Sequence, residues 1–183
     1  AAVFLDKDGT LVENVPYNVD PARVRLTPGA GKALRALAEG GYRPFVVSNQ
    51  SGVARGYFTE GDLRAVEARL GELLAPHGVA IEAYRYCFHH PQGTVAAYRA
   101  ACDCRKPAPG MILELAREHG LDLARSWMVG DGEGDVAAGR AAGCRTVLIV
   151  KNADPEEGSA PGPLPDVLAS DLDEAARAIL AAG

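Results

Sequence analysis

Five short apolar runs punctuate this chain: Val3-Phe4-Leu5, Pro44 to Val47, Ile81 to Tyr86 with gaps, Trp127 to Val129, and Thr146 to Val150. Runs this short and this uniformly apolar read as strands buried on both faces, the condition of a parallel sheet covered by helices. The segments between them carry helical spacing and recognisable caps. Thr27-Pro28 sets a capping hydroxyl before a proline suited to the first helical position, Leu34 and Leu37 share a face, and Gly40-Gly41 stops the helix. Thr59 and Asp62 match a capping box, after which Leu63, Val66, Leu70 and Leu73 recur at three- and four-residue steps until Gly78. Ile112, Leu115 and Ala116 repeat the pattern before Gly120, and a small-residue helix runs from Val136 toward Gly143.

Strands alternating with helices predict an open, Rossmann-like α/β fold, with a mainly parallel sheet and helices on both faces. At 183 residues the chain fits a single domain over 1–183, and no gap between the runs is long enough for a separate cap domain. The stretch 152–165, dominated by Pro, Gly, Asp and Glu, reads as a surface loop ahead of a last helix at 173–180.

Charge narrows the partners. With 19 Lys and Arg against 24 Asp and Glu, the net charge of −5 disfavours nucleic acid or an anionic membrane as the main partner. No apolar run approaches the ~20 residues that cross a bilayer, and no basic stretch leads into a signal segment. A cytoplasmic monomer acting on a small molecule is the expectation, and any anionic substrate must be attracted locally.

In such sheets ligands sit beyond the carboxyl ends of the strands. Three of the predicted strands run directly into polar groups there: Leu5 into Asp6-Lys7-Asp8-Gly9-Thr10, Val47 into Ser48-Asn49-Gln50, and Val129 into Gly130-Asp131. Alone, Asp-Lys-Asp-Gly-Thr suits an ordinary acidic turn. Its place after a buried strand, with two further strand ends of matching polarity, favours a site instead. Asp6, Asp8 and Asp131 would offer hard oxygen ligands to a small divalent cation, Mg2+ being the natural one.

Asp-x-Asp-Gly-Thr, Ser-Asn, Arg-Lys-Pro and Gly-Asp with a further acid at Asp135 stand in that order across most of the chain. They resemble the four motifs of the haloacid dehalogenase-like phosphatases. The resemblance implies that Asp6 is a nucleophile forming an aspartyl-phosphate and that Asp8 protonates the leaving oxygen and then activates water. It implies further that Ser48 and Lys106 hold the phosphoryl oxygens. The chemistry is sound, because a covalent intermediate splits a slow hydrolysis into two displacements. A cation and a fixed ammonium are needed to let an aspartate approach a phosphate dianion.

Three of the four cysteines and two of the four histidines fall between residues 87 and 104. Cys87-x-His89 and Cys102-x-Cys104 supply the sulfur and imidazole donors of a structural Zn2+ site, with i and i+2 on one side of an extended chain. His90 is an equally placed donor, and only the resemblance favours His89. A disulfide, or a catalytic Cys-His pair, is the weaker reading. Because Cys104 is followed by Arg105 and Lys106, the zinc loop 87–104 is expected to deliver Lys106 into the site.

An uncapped site must take its specificity from short loops. Asn14 and Tyr17 after the first motif, Asn49, Gln50, Ser51 and Arg55 around the second, and Arg105 are the candidates, the arginines to hold a second anionic group. The stretches Ser-Asn-Gln-Ser-Gly-Val-Ala-Arg-Gly and Cys-Phe-His-His-Pro resemble the branch of the family that acts on sugar bisphosphates, which implies a phosphorylated sugar as substrate. Histidinol-phosphate phosphatases are similar in all four motifs, but an amine substrate would want an acidic loop partner where this chain has arginines. Gly132 departs from the branch, whose members often carry lysine there.

Overall fold

A computed structural model describes residues 1–150 and 163–183. The apolar runs register into one six-stranded sheet, all neighbours parallel: β1 (Ala2–Leu5), β2 (Arg43–Asn49), β3 (Ala83–Cys87), β4 (Trp127–Gly130), β5 (Arg145–Ile149) and β6 (Val167–Ala169), in the order β3-β2-β1-β4-β5-β6. Among the described residues four α-helices connect strands, α1 (Ala30–Glu39), α2 (Leu63–Leu74), α3 (Gly110–His119) and α4 (Glu133–Ala142), and α5 (Leu172–Ala181) follows β6. One apolar layer joins Leu34, Leu37, Leu70, Leu74 and Ile179 of α1, α2 and α5 to Val3, Leu5 and Val46. The other packs Met111, Leu115 and Ala138 of α3 and α4 on Phe4, Phe45 and Met128. The central strands β1, β2 and β4 therefore present successive residues to opposite layers, and their near-continuous apolar runs follow.

The strand order reverses direction at β1, whose neighbours are β2 and β4. Leu5 lies abreast of Val46 and of Val129, so Asp6, the end of β2 and Gly130-Asp131 emerge side by side into the crevice that a switch point creates. The small residues of α4 have a packing cause. A Cβ on Gly139 would come within 2.6 Å of Met128 Cβ and 2.8 Å of Thr146 Cγ2, so the helix lies flush on the sheet only with glycine there.

Three expectations differ. The hydroxyl of Thr27 does not cap α1; it donates to the carbonyl of Thr10 at 2.7 Å, and Gly29, at φ 77°, occupies the N-cap. Asp62 and Thr59 do pair as a capping box, but the box opens a 3-10 turn ahead of α2. Part of the expected 152–165 loop lies outside the described residues, and the stretch after it forms β6, a sixth strand that three residues with an outward Leu168 did not announce. No helix among the described residues is long and apolar enough to cross a membrane.

Candidate active site

Asp6 begins where β1 ends, its N–H donating to the Val129 carbonyl at 2.9 Å. Its Oδ1 receives a hydrogen bond from Lys106 Nζ at 2.6 Å. The same ammonium donates to the Val47 carbonyl at 2.8 Å and pairs with Asp135 Oδ1 at 2.6 Å. Lys106 is thus a buried cation with all three donors directed at the ends of β1, β2 and α4. Burial works against its charge, but Asp6 and Asp135 outweigh burial and raise its pKa. Burial pushes Asp6 the other way, to about 6, helped by Asp135 and Asp8 and opposed by Lys106. A carboxylate in that condition gains from a further cation.

Carboxylate oxygens of Asp6, Asp131 and Asp135 lie within 4.8 Å of one another, a hard-oxygen group fit for a divalent cation. Asp135 joins this group and the Asp8 carboxylate, expected there, does not. Asp8 Oδ1 is paired with Lys7 Nζ at 2.7 Å, and its Oδ2 accepts from Gln50 Nε2 at 2.8 Å. The signal for Asp135 was present as the fourth residue after Asp131, which the first turn of α4 swings back over Gly130. There a Cβ would come within 2.2 Å of Asp135 Oδ2. Lys7 carried no such signal; only the fold shows that it is buried against Asp8.

The residues at and just beyond the end of β2 divide their labour. Ser48 is buried, and its hydroxyl accepts from Gln50 Nε2 at 2.9 Å, facing the cleft of about 290 Å3 that Asp6, Asp8, Lys106, Gly132 and Asp135 also line. Asn49 lines both this cleft and the pocket beside it, and its amide is bound to the backbone of Lys106: Lys106 N–H donates to Oδ1, and Nδ2 donates to the Lys106 carbonyl, each at 3.0 Å. Asn14, Tyr17, Gln50 and Ser51 line an adjoining pocket of about 240 Å3 that Asp8 shares. Arg55 and Arg105 line neither cavity. Arg55 lies 3.4 Å from His90 Nε2 and Arg105 donates to the His89 carbonyl at 3.2 Å, so the two cations gather at the cysteine loop.

That loop leaves β3 beside the end of β2, where Gln50 N–H donates to the Cys87 carbonyl. Sulfurs of Cys87, Cys102 and Cys104 stand 3.1 to 3.5 Å apart, far beyond the about 2.05 Å of a disulfide, and His89 Nδ1 lies 3.5 Å from Cys104 Sγ. All three cysteines are free thiols. Burial and the neighbouring thiols hold Cys104 far above its ordinary pKa, and burial also raises Cys87. Three sulfurs and one imidazole facing one point form a donor set that suits a tetrahedral soft-ligand metal, and His89, not His90, is the imidazole that faces it. His90 Nδ1 accepts instead from Gln92 N–H.

A switch-point crevice holding a buried aspartate, a buried lysine and a carboxylate cluster defines an α/β site for handling a phosphoryl group. The HAD-hydrolase-like family profile matches residues 103–175. A D-glycero-β-D-manno-heptose-1,7-bisphosphate 7-phosphatase of Rhodopseudomonas palustris is 46% identical over 142 residues, 78% of this chain and 79% of that protein. The protein of the same name from Escherichia coli K12 is 40% identical over 84% of this chain and 81% of its own length. The crystal structure of D,D-heptose 1,7-bisphosphate phosphatase from B. bronchiseptica, complexed with magnesium and phosphate, superposes with a TM-score of 0.83 at 29% identity, covering all of both chains. The chain belongs to the haloacid dehalogenase-like phosphatases, hydrolases of phosphoric monoesters.

Proposed function

We propose that this chain removes the 7-phosphate of D-glycero-D-manno-heptose 1,7-bisphosphate, with Mg2+ at the carboxylates and Zn2+ at the cysteine loop, in the making of nucleotide-activated heptose. The observation that carries the reading is the Lys106 ammonium fixed 2.6 Å from both Asp6 and Asp135 in the crevice. With Asp6 Oδ1 held by Lys106, Oδ2 is the atom that attacks phosphorus. As that bond forms, the bond from phosphorus to the sugar oxygen breaks, and Asp8 passes a proton to the departing oxygen. Asp8 then takes a proton from water as it attacks the phosphorus, which frees Asp6 and inorganic phosphate. Lys7 and Gln50 hold the Asp8 carboxylate at its two oxygens. Ser48 Oγ receives a phosphoryl oxygen, and Lys106 Nζ does so by exchanging one of its three present acceptors for it. A divalent cation at Asp6, Asp131 and Asp135 supplies the positive charge that offsets repulsion between phosphate and carboxylate.

Asn49 serves as a positioning residue for Lys106. Asn14, Tyr17, Gln50 and Ser51 form the sugar side of the cleft, and Arg55 and Arg105 take the second phosphate. The relatives named for the heptose bisphosphate carry the choice of sugar, at 46% and 40% identity.

The test is phosphate release from each anomer of heptose 1,7-bisphosphate and from histidinol phosphate, with both metals supplied. A rate on one heptose anomer far above the rest is expected, with no turnover in Asp6→Asn and impaired turnover in Asp8→Asn. Preference for histidinol phosphate overturns the substrate, and wild-type rates in Asp6→Asn overturn the mechanism.

A further inference from the structure

Two exposed aromatic rings meet beside the pocket that adjoins the cleft. Tyr57 is 61% exposed and Tyr17 49%, and no other aromatic among the described residues is exposed. They meet edge to face, with centroids 4.8 Å apart. One stands on the loop after β1, the other on the loop after β2, the two loops whose residues Asn14, Val15, Pro16, Gln50 and Ser51 line the pocket beside Asp8. Left in water, such rings forgo burial that either could find in a core.

Both backbones are arranged to put the rings there. Tyr17 is the one non-glycine residue among those described with positive φ, 54°, a conformation unfavourable for a bulky side chain that persists only where the surroundings impose it. Tyr57 follows Gly56, at φ 73°, and its N–H donates to the Gly52 carbonyl at 2.9 Å. Gly52 in turn admits the buried Phe58 ring, which a Cβ there would meet at 2.0 Å. The loop is therefore anchored beneath by Phe58 while Tyr57 is turned outward. Strain beside that pocket, spent on an exposed ring rather than a buried one, points to a ligand-facing role.

We propose that Tyr57, braced by Tyr17, is a specificity-determining residue: the two rings form an aromatic wall at the pocket beside Asp8 against which the C–H face of the sugar packs. The proposal rests on the sugar bisphosphate reading and adds to it the surface that recognises the apolar side of the ring, while Asn14 and Ser51 remain for its hydroxyls. Tyr17 lines that pocket and Tyr57 adjoins it through the edge-to-face contact, and contact of an aromatic ring with the C–H groups of a sugar is of the same kind as packing between aromatic and apolar side chains.

The experiment compares kcat/KM for heptose 1,7-bisphosphate with kcat/KM for ethyl phosphate, which has no ring to pack, in the metal-loaded enzyme and in Tyr57→Ala, Tyr57→Phe and Tyr17→Ala. The ratio of the two should fall about tenfold in Tyr57→Ala, chiefly through KM for the sugar, fall in the same direction in Tyr17→Ala, and stay at the wild-type value in Tyr57→Phe. An unchanged ratio in Tyr57→Ala overturns the wall, as does a loss shared equally by both substrates or a Phe variant as poor as Ala. A wild-type enzyme with no preference for the heptose over ethyl phosphate is a different failure: it overturns the sugar reading, and the wall falls with it.

Discussion

Gly9 shows how closely single atoms are set in this site. Its φ of 91° disfavours any side chain, and a Cβ would lie 1.9 Å from Asp131 Oδ2, so the turn after β1 and the carboxylate after β4 touch through a missing methyl group. Gly9→Ala should displace Asp131 and twist the turn that carries Asp8, lowering kcat/KM about a hundredfold and raising the Mg2+ concentration for half activity. Steady-state rates across a magnesium titration check it, and a wild-type response would show that Asp131 can move without consequence. The glycine of Asp-x-Asp-Gly-Thr was legible as a turn former. That it also makes room for a residue 122 positions away was not, because no local pattern records which distant group fills a space. Asn49 makes the same point, since its residue type suited a substrate contact and its surroundings direct both amide atoms to the backbone of Lys106.

Among the elements, the cysteine loop connects most directly to function. It begins beside Asn49 at the end of β3 and returns to the cleft at Lys106, and a small apolar cluster of Val53, Phe58 and Leu63 with Phe88 and Tyr98 packs it on the loop after β2. The four donors draw its two ends together. Removing the proposed Zn2+ with a chelator should loosen the loop and lower activity even with magnesium saturating, because Lys106 then loses its approach to Asp6. Hydrogen exchange of residues 87–106, followed beside activity, measures it; full activity in a preparation shown to be zinc-free would detach the loop from catalysis. Local spacing made the donor cluster readable, since two pairs at i and i+2 stay near each other in any extended segment. Which imidazole turns inward depended on Gln92 and Arg55 holding His90 aside.

At the scale of the whole molecule the sheet has a weak edge at β6, three residues long, tied to β5 by more than its ladder. Asp166 Oδ2 accepts from both the N–H and the hydroxyl of Thr146, at 2.8 and 2.9 Å. Partial burial opposes the Asp166 charge, but the two hydrogen bonds and the nearby Arg140 and Arg145 outweigh it and hold its pKa below the ordinary 3.8. A depressed carboxyl pKa stabilises the fold above the unfolded value and loses that stabilisation as pH falls through the folded one. Thr146→Val should lower Tm by about 2–4 °C at neutral pH, with the gap to wild type narrowing as pH drops below 3.8. Melting curves at several pH values measure this, and a gap independent of pH would assign the loss to packing alone. The sequence by itself determined the alternating architecture, the four motifs and their order, and the donor cluster, because each rests on short-range periodicity, on a buried run meeting polar groups or on close spacing of like donors. Tertiary structure alone decided that β6 exists, that Asp135 rather than the Asp8 carboxylate joins Asp6 and Asp131, that Lys7 lies buried against Asp8, and that Tyr17 meets Tyr57. Those outcomes depend on which remote surfaces the crossover connections bring within a few ångströms, a distance that spacing along a chain does not encode.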